Sequence, residues 1–290
     1  MSDEAILYKR RQKFSEEARQ AILNDQLKDH ALLSRSHRTS DILQDLLHDE
    51  NARLKLLQEI EKQELIDPDG NLVERGLRKL REVIVAAKPK SRRKPAFVHL
   101  AIQVYIKTIR FYCRRRENHK SLPGLRFYVE NLLENADPRD QQRSHELIAC
   151  CALYIAHSEQ DILRCLELLK KHLYGNKIYD HCRVLASVYC LRSEPPCVWF
   201  ATVSQFPDTS LVRSFLLTLP AFHEMQRRTI KVICTCYNQL SLSFISSYWF
   251  HHLWEDIESY LIDHWAIEVY ENGSKVAKFK KQKVEGSCKR

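Results

Sequence analysis

From about residue 41 to residue 236, apolar positions recur every three or four residues between short polar breaks. That period marks amphipathic helices, and an unbroken succession of them predicts stacked helix pairs. The first, "SDILQDLLHDENARLKLLQEIEKQ", sets Ile42, Leu43, Leu46, Leu47, Leu54, Leu57 and Ile60 near one stripe, with Ser40 as N-cap. The turn-forming run "DPDGN" follows it. Further helices are expected at about 75–87, 96–116, 121–135, 177–193, 195–206 and 209–218. Two more starts are marked by chemistry: Asp137 before Pro138 reads as N-cap and first-turn proline, and "SEQD" from Ser158 to Asp161 has the form of a capping box. No residue-level repeat of the tetratricopeptide or ankyrin kind accompanies this rhythm.

The pattern changes after Pro220. "HEMQRRTIKVICTCYNQL" keeps helical spacing, with Ile230, Ile233 and Cys234 facing one way. "QLSLSFISSYWF", residues 239–250, then alternates before turning aromatic. It reads as a joint, in which an extended Leu240–Leu242 leads to a short helix capped by Ser243. Phe244, Ile245 and Tyr248 or Trp249 of that helix are expected to enter the core. "LWEDIESYLIDH" carries a stripe of Leu253, Ile257, Tyr260 and Leu261. Trp265–Tyr270 and Lys275–Phe279 are rich in strand formers around Asn272-Gly273, so a β-hairpin closes the series.

Composition agrees with a mainly α chain, because only six glycines and nine prolines occur in 290 residues. No uninterrupted apolar run reaches 18 residues and the first four residues include two acids, so neither a membrane span nor a secretory signal is expected. The ten cysteines include no C-x-x-C pair and lie mostly in apolar surroundings such as "LIACCALYIAH". They read as buried reduced thiols, which implies the cytosol or nucleus. No glycine-rich phosphate loop, H-E-x-x-H or G-x-S-x-G occurs. His251 and His252 lack two further metal ligands at suitable spacing, and Glu255, Asp256 and Glu258 suit a helix start. No catalysis, metal or cofactor is expected.

Charge is concentrated. The net is +9, yet Lys88–Arg126 alone carries +11 and Lys275–Arg290 carries +6, leaving −8 on the remaining residues. Such concentrations attract phosphates and bind them in a salt-dependent manner. "KPKSRRKP", with Arg92, Arg93 and Lys94, suits either a nuclear import signal or a nucleic-acid contact. "RFYCRRRENHK" interleaves Phe111 and Tyr112 with Arg110, Arg114, Arg115 and Arg116. That composition fits base stacking plus phosphate contact, or alternatively a core edge with a solvated face. Lys275, Lys278, Lys280 and Lys281, on and just after the second hairpin strand, suit either a groove contact or a solubilising tail.

Helical repeats ending in helix, short helix, helix and hairpin resemble the PCI domain of proteasome-lid, signalosome and initiation-factor subunits. "HCRVLASVYCLRSEPPCVWFATVSQFPDTSLVRSFLLTLPAFHEMQRRTIKVICTCYNQLSLSFISSYWF" with "EDIESYLIDH" is similar to the core of the SAC/GANP branch, which includes leukocyte receptor cluster member eight-like proteins. The likeness covers roughly residues 145–270. It implies an α-helical repeat domain at 41–220 and a winged helix at 221–281, between a charged segment at 1–40 and a basic tail at 282–290. It further implies a non-catalytic scaffold that pairs with a second PCI-domain protein, recruits a small acidic DSS/Sem-type protein and binds RNA or DNA. Trp249, Trp254 and Trp265 would meet the partner if exposed, the other reading being that they are core. The expected role is nuclear mRNA processing or export. The alternative is a protein-interaction subunit of a proteasome-lid, signalosome or translation-initiation type complex that binds no nucleic acid.

Overall fold

The computed structural model describes residues 41–279 together with Asp25, Leu27 and Leu32. The rest of the 1–40 segment, Ser40 included, and Lys280, Lys281 and the 282–290 tail lie outside the described residues. The fold is mainly α with one small antiparallel sheet, and it falls into two compact units, one up to Leu147 and one from Ile148.

The first unit contains α1 (Asp41–His48), α2 (Glu50–Ile66), α3 (Asn71–Ala86), the single turn α4 (Pro89–Arg92), α5 (Pro95–Arg114) and α6 (Leu122–Asn131). It also holds the first part of α7 (Pro138–Ser158). The expected first helix is two. Asp49 is extended (φ −102, ψ 124) and its carboxylate accepts the Asn51 N–H at 2.9 Å, capping α2. The Leu46 carbonyl at the end of α1 is met by the buried Arg53, whose Nη1 donates to it at 2.9 Å. This break shifts the phase of the stripe: Leu43, Leu46, Leu57 and Ile60 are buried, while Leu54 is 41% exposed. At α7 the expected cap holds, with Asp137 Oδ1 accepting the Asp140 N–H at 2.8 Å.

α2 and α3 approach closely at Gly76. A Cβ there would lie 2.5 Å from Ile60 Cγ1 and 2.8 Å from Leu27 Cδ2. Gly76→Ala should therefore destabilise by about 1 kcal/mol. Overpacking costs ~1–3 kcal/mol and outweighs the ~1 kcal/mol that alanine brings to a helix interior. A denaturation midpoint at or above wild type would show that the helices part without cost.

The second unit continues from α7 through α8 (Ile162–Leu173), α9 (Lys177–Leu191), α10 (Pro196–Ser204), α11 (Leu211–Thr218) and α12 (Pro220–Cys236). The cap of α8 is Asp161, whose side chain accepts the Arg164 N–H at 3.0 Å. Ser158, expected to cap it, ends α7 instead, because Gln160 turns left-handed (φ 56) between them. At the centre is His157. Its Nδ1–H donates to Leu153 O at 2.8 Å, and its Nε2 accepts the Trp199 indole N–H at 3.1 Å. Trp199 is wholly buried and packs on Phe200 and Phe222.

β1 (Gln239–Ser241) leads into α13 (Leu242–Phe244), which continues as a π-helical turn, Ile245–Trp249. The cap is Ser241, accepting the Phe244 N–H, rather than Ser243. Leu242 is already helical and buried, so the extended entry is one residue earlier than expected. Phe250 then packs on Phe200 at 4.9 Å between ring centroids, so residues after 220 share a core with α10. α14 (Ile257–His264), β2 (Ala266–Val269) and β3 (Lys275–Lys278) complete the described chain. The sheet order is β1-β3-β2, with Leu240 and Ile267 both opposite Ala277, which is fully buried. The hairpin turn is longer than two residues. Tyr270 N–H donates to Ser274 O at 2.9 Å around a three-residue loop, and Gly273 takes the left-handed position (φ 79).

Candidate nucleic-acid and partner-binding surfaces

The cationic stretch of the first unit divides in two. On its C-terminal part, α5 brings its cations against acids from α2, the following loop and α3. Arg114 Nε donates to Asp69 at 2.9 Å, and its Nη2 lies 3.3 Å from Glu64. Lys107 meets Glu64 at 3.0 Å and Glu61 at 3.4 Å. Arg115 lies 3.3 Å from Glu74 and 3.4 Å from Glu117, and Lys120 meets both of these at 3.4 and 2.8 Å. The hydrogen bond from Lys120 is the main cause that lowers the Glu117 carboxyl pKa and, reciprocally, raises that of Lys120. Lys107, Arg114, Arg115 and Lys120, four of the twelve cations in this stretch, are therefore met by acids some 45 residues away, which are part of the −8 elsewhere. Phe111 and Tyr112 are buried, at 0% and 3% exposure, so neither ring is open for base stacking.

The N-terminal part differs. Lys88, Lys90, Arg93 and Lys94 are exposed around the single turn of α4, and none has a carboxylate partner among the described residues. Arg110 and Arg116 are exposed and likewise without one, Arg116 in the left-handed region (φ 55). Arg92 is half-buried. Its Nη2 donates to Val85 O at 2.6 Å and its guanidinium lies over the Phe127 ring at 4.8 Å.

The hairpin cations are engaged too. Lys275 pairs with Glu258 of α14, and Lys278 pairs with Glu268 at 2.8 Å. Lys280 and Lys281 lie outside the described residues.

The three tryptophans part company. Trp249 is 6% exposed and packs against Tyr237 and Tyr248, so it is core and not a surface contact. Trp254 and Trp265 are half-buried on either side of Tyr260, at 4.8 and 6.1 Å between centroids. Phe244, expected inside, is instead 40% exposed; of the alternatives Tyr248 and Trp249 it is Trp249 that is buried, and Tyr248, 50% exposed, stacks on Phe244 at 4.9 Å and 11°. Only Ile245 and Trp249 of that turn are buried. The i, i+4 spacing of the two rings sets them side by side on one face, without saying whether that face is buried.

A cleft of about 370 Å³ lies between α13, α14 and the hairpin turn, lined among others by Leu242, Ser246, Glu255, Leu261 and Ser274. Beside it, His252 Nδ1 lies 3.2 Å from Ser246 Oγ. Burial, more than the neighbouring His252, lowers the His251 pKa. Among the described residues no helix is long and apolar enough to cross a membrane, and no three His, Cys, Asp or Glu gather as a metal site. No protein-family model matches the chain, and no curated protein matches it.

Proposed function

We propose that the chain is a non-catalytic PCI-type scaffold subunit acting in nuclear mRNA processing or export. The observation that carries this is the order α12, β1, α13, α14, β2, β3 with sheet order β1-β3-β2, directly after a series of helices. A winged helix has that order of elements and that sheet. In this reading the winged helix pairs with a second PCI-domain protein, through the exposed Phe244–Tyr248 stack and the rims of Trp254 and Trp265. A small acidic DSS/Sem-type protein completes the complex. Nucleic acid is met at Lys88, Lys90, Arg93 and Lys94, exposed cations clustered around α4 with no carboxylate partner among the described residues.

The test is single-stranded RNA affinity at several salt concentrations. Changing these four residues to Gln should lower affinity at least tenfold and flatten the log–log salt slope by about 3, at ~0.7 per lost phosphate contact. An unchanged slope sinks the assignment. A second reading, a protein-only subunit of a proteasome-lid, signalosome or initiation-type complex, is favoured by the pairing of Arg114, Arg115, Lys120, Lys275 and Lys278 with acids. It predicts no RNA binding by the wild type.

A further inference from the structure

The cleft between α13, α14 and the hairpin turn joins an apolar floor to a rim of hydrogen-bond acceptors. Leu242 of α13 and Ile257 and Leu261 of α14 form the floor, and all three are firmly packed in the core. On the rim stand Glu255 and Glu258 from the start of α14, and the hydroxyls of Ser243, Ser246 and Ser274. Ser274 Oγ spends its proton on Asn272 Oδ1 at 2.7 Å, so what it offers a ligand is an acceptor. At about 370 Å³ the cleft lies at the small end of ligand sites, which run from ~300 to 1,000 Å³. It has room for a long side chain and none for a large cofactor.

Its charge is unbalanced. Among the described residues that line it, Lys275 is the single cation, and it pairs with Glu258. Glu255 is exposed and has no cationic partner among the described residues. Glu258 sits in the first turn of α14, where an acid favours the helix dipole, but Glu255 precedes the cap residue Asp256 and lies outside that turn. A carboxylate is thus left over beside an apolar floor, in a chain whose net charge is +9.

The occupant that answers this chemistry is an arginine side chain. Its methylene stem lies along apolar surface while its head stays at the rim. The guanidinium fork meets a carboxylate with two parallel N–H bonds and has further donors for the serine oxygens. A phosphate would face two carboxylates, and a wholly apolar group would desolvate Glu255 without pairing it. Free arginine would bring its own α-carboxylate against the same acids, whereas within a polypeptide that group is a neutral amide. We infer that the cleft docks an arginine side chain carried by a partner polypeptide, with Glu255 as its counter-ion and Lys275 competing with it for Glu258. The site requires neither RNA binding nor a PCI-type partner.

The probe is the capped peptide Ala-Ala-Arg-Ala-Ala, titrated into the isotope-labelled full chain and followed by the backbone amide shifts of Ser246, Glu258 and Ser274. These amides should move saturably. The same peptide with neutral citrulline for arginine should bind about tenfold more weakly, as should the arginine peptide to Glu255→Gln, each losing a charge-assisted hydrogen bond. Lys275→Ala frees Glu258 and should tighten binding severalfold. Both substitutions are at exposed positions, and the dispersion of the remaining amide signals checks the fold. A wild type whose cleft amides ignore the peptide overturns the site, as do equal affinities for the arginine and citrulline peptides or an undiminished affinity in Glu255→Gln. Shifts of the same amides by inorganic phosphate, abolished in Lys275→Ala, would make the occupant an anion and overturn it too. RNA binding through Lys88–Lys94 is untouched by any of these results.

Discussion

Replacing His157 with leucine should destabilise the protein by about 2–4 kcal/mol at pH 7 and flatten its stability profile on the acid side. The ring is buried between two partners, so leucine strands the Trp199 indole N–H and fits the ring's space poorly, while the Leu153 carbonyl loses only the bond it accepts from the imidazole. The pH dependence comes from the same environment. Burial is the main cause that lowers the His157 pKa to about 4, with Arg228 acting the same way and the Leu153 carbonyl opposing. The unfolded chain takes up this proton near the ordinary pKa of ~6.5, whereas the native state resists until about pH 4. Stability is thus complete above pH 6.5 and is lost as pH falls through that window. The slope is at most ~1.4 kcal/mol per pH unit, amounting to about 3 kcal/mol. Urea denaturation at pH 7, 6 and 5 measures it. Equal acid slopes in wild type and His157→Leu would show that the ring titrates freely in the folded protein.

Reversing Arg114, Arg115 and Arg116 together to glutamate should cost about 2–4 kcal/mol. Four ion pairs, to Glu64, Asp69, Glu74 and Glu117, become like-charge contacts, each pair being worth up to ~1 kcal/mol at a partly exposed site. The loss should shrink in high salt, which screens such contacts. Reversal at Arg116 alone, which has no such partner, should be near neutral. Any loss of RNA binding in the triple variant therefore needs a folding control. A triple variant as stable as wild type would mean these contacts contribute nothing to the fold.

The sequence carried the local features well. Asp137-Pro138 marked a helix start and Asn272-Gly273 marked the hairpin, because each acts through backbone groups two or three residues away. Competing local signals were misjudged. Asp49 sits inside an apolar-periodic run, and its capping strength became evident only with Arg53 folding back on the carbonyls of α1. Ser158 and Asp161 both have capping side chains, and the left-handed Gln160 decides for the second.

The candidate surface was less legible. A charge count along the chain reports Arg114 and Arg115 as free cations, since Glu64, Asp69 and Glu74 lie 41 to 50 residues earlier. Likewise the order of elements around Trp249 was readable. Which rings of its turn face outward depended on a π-helical turn that no spacing rule specifies.

The sheet has an order of assembly built into it. β1 and β2 touch only through β3, the last of the three to leave the ribosome, more than thirty residues after β1. Until Lys275–Lys278 emerges, two strands wait with bare backbone edges, and a chain cut short of Lys275 loses the whole sheet. Until then the edges of β1 and β2 are open to mispairing with another chain.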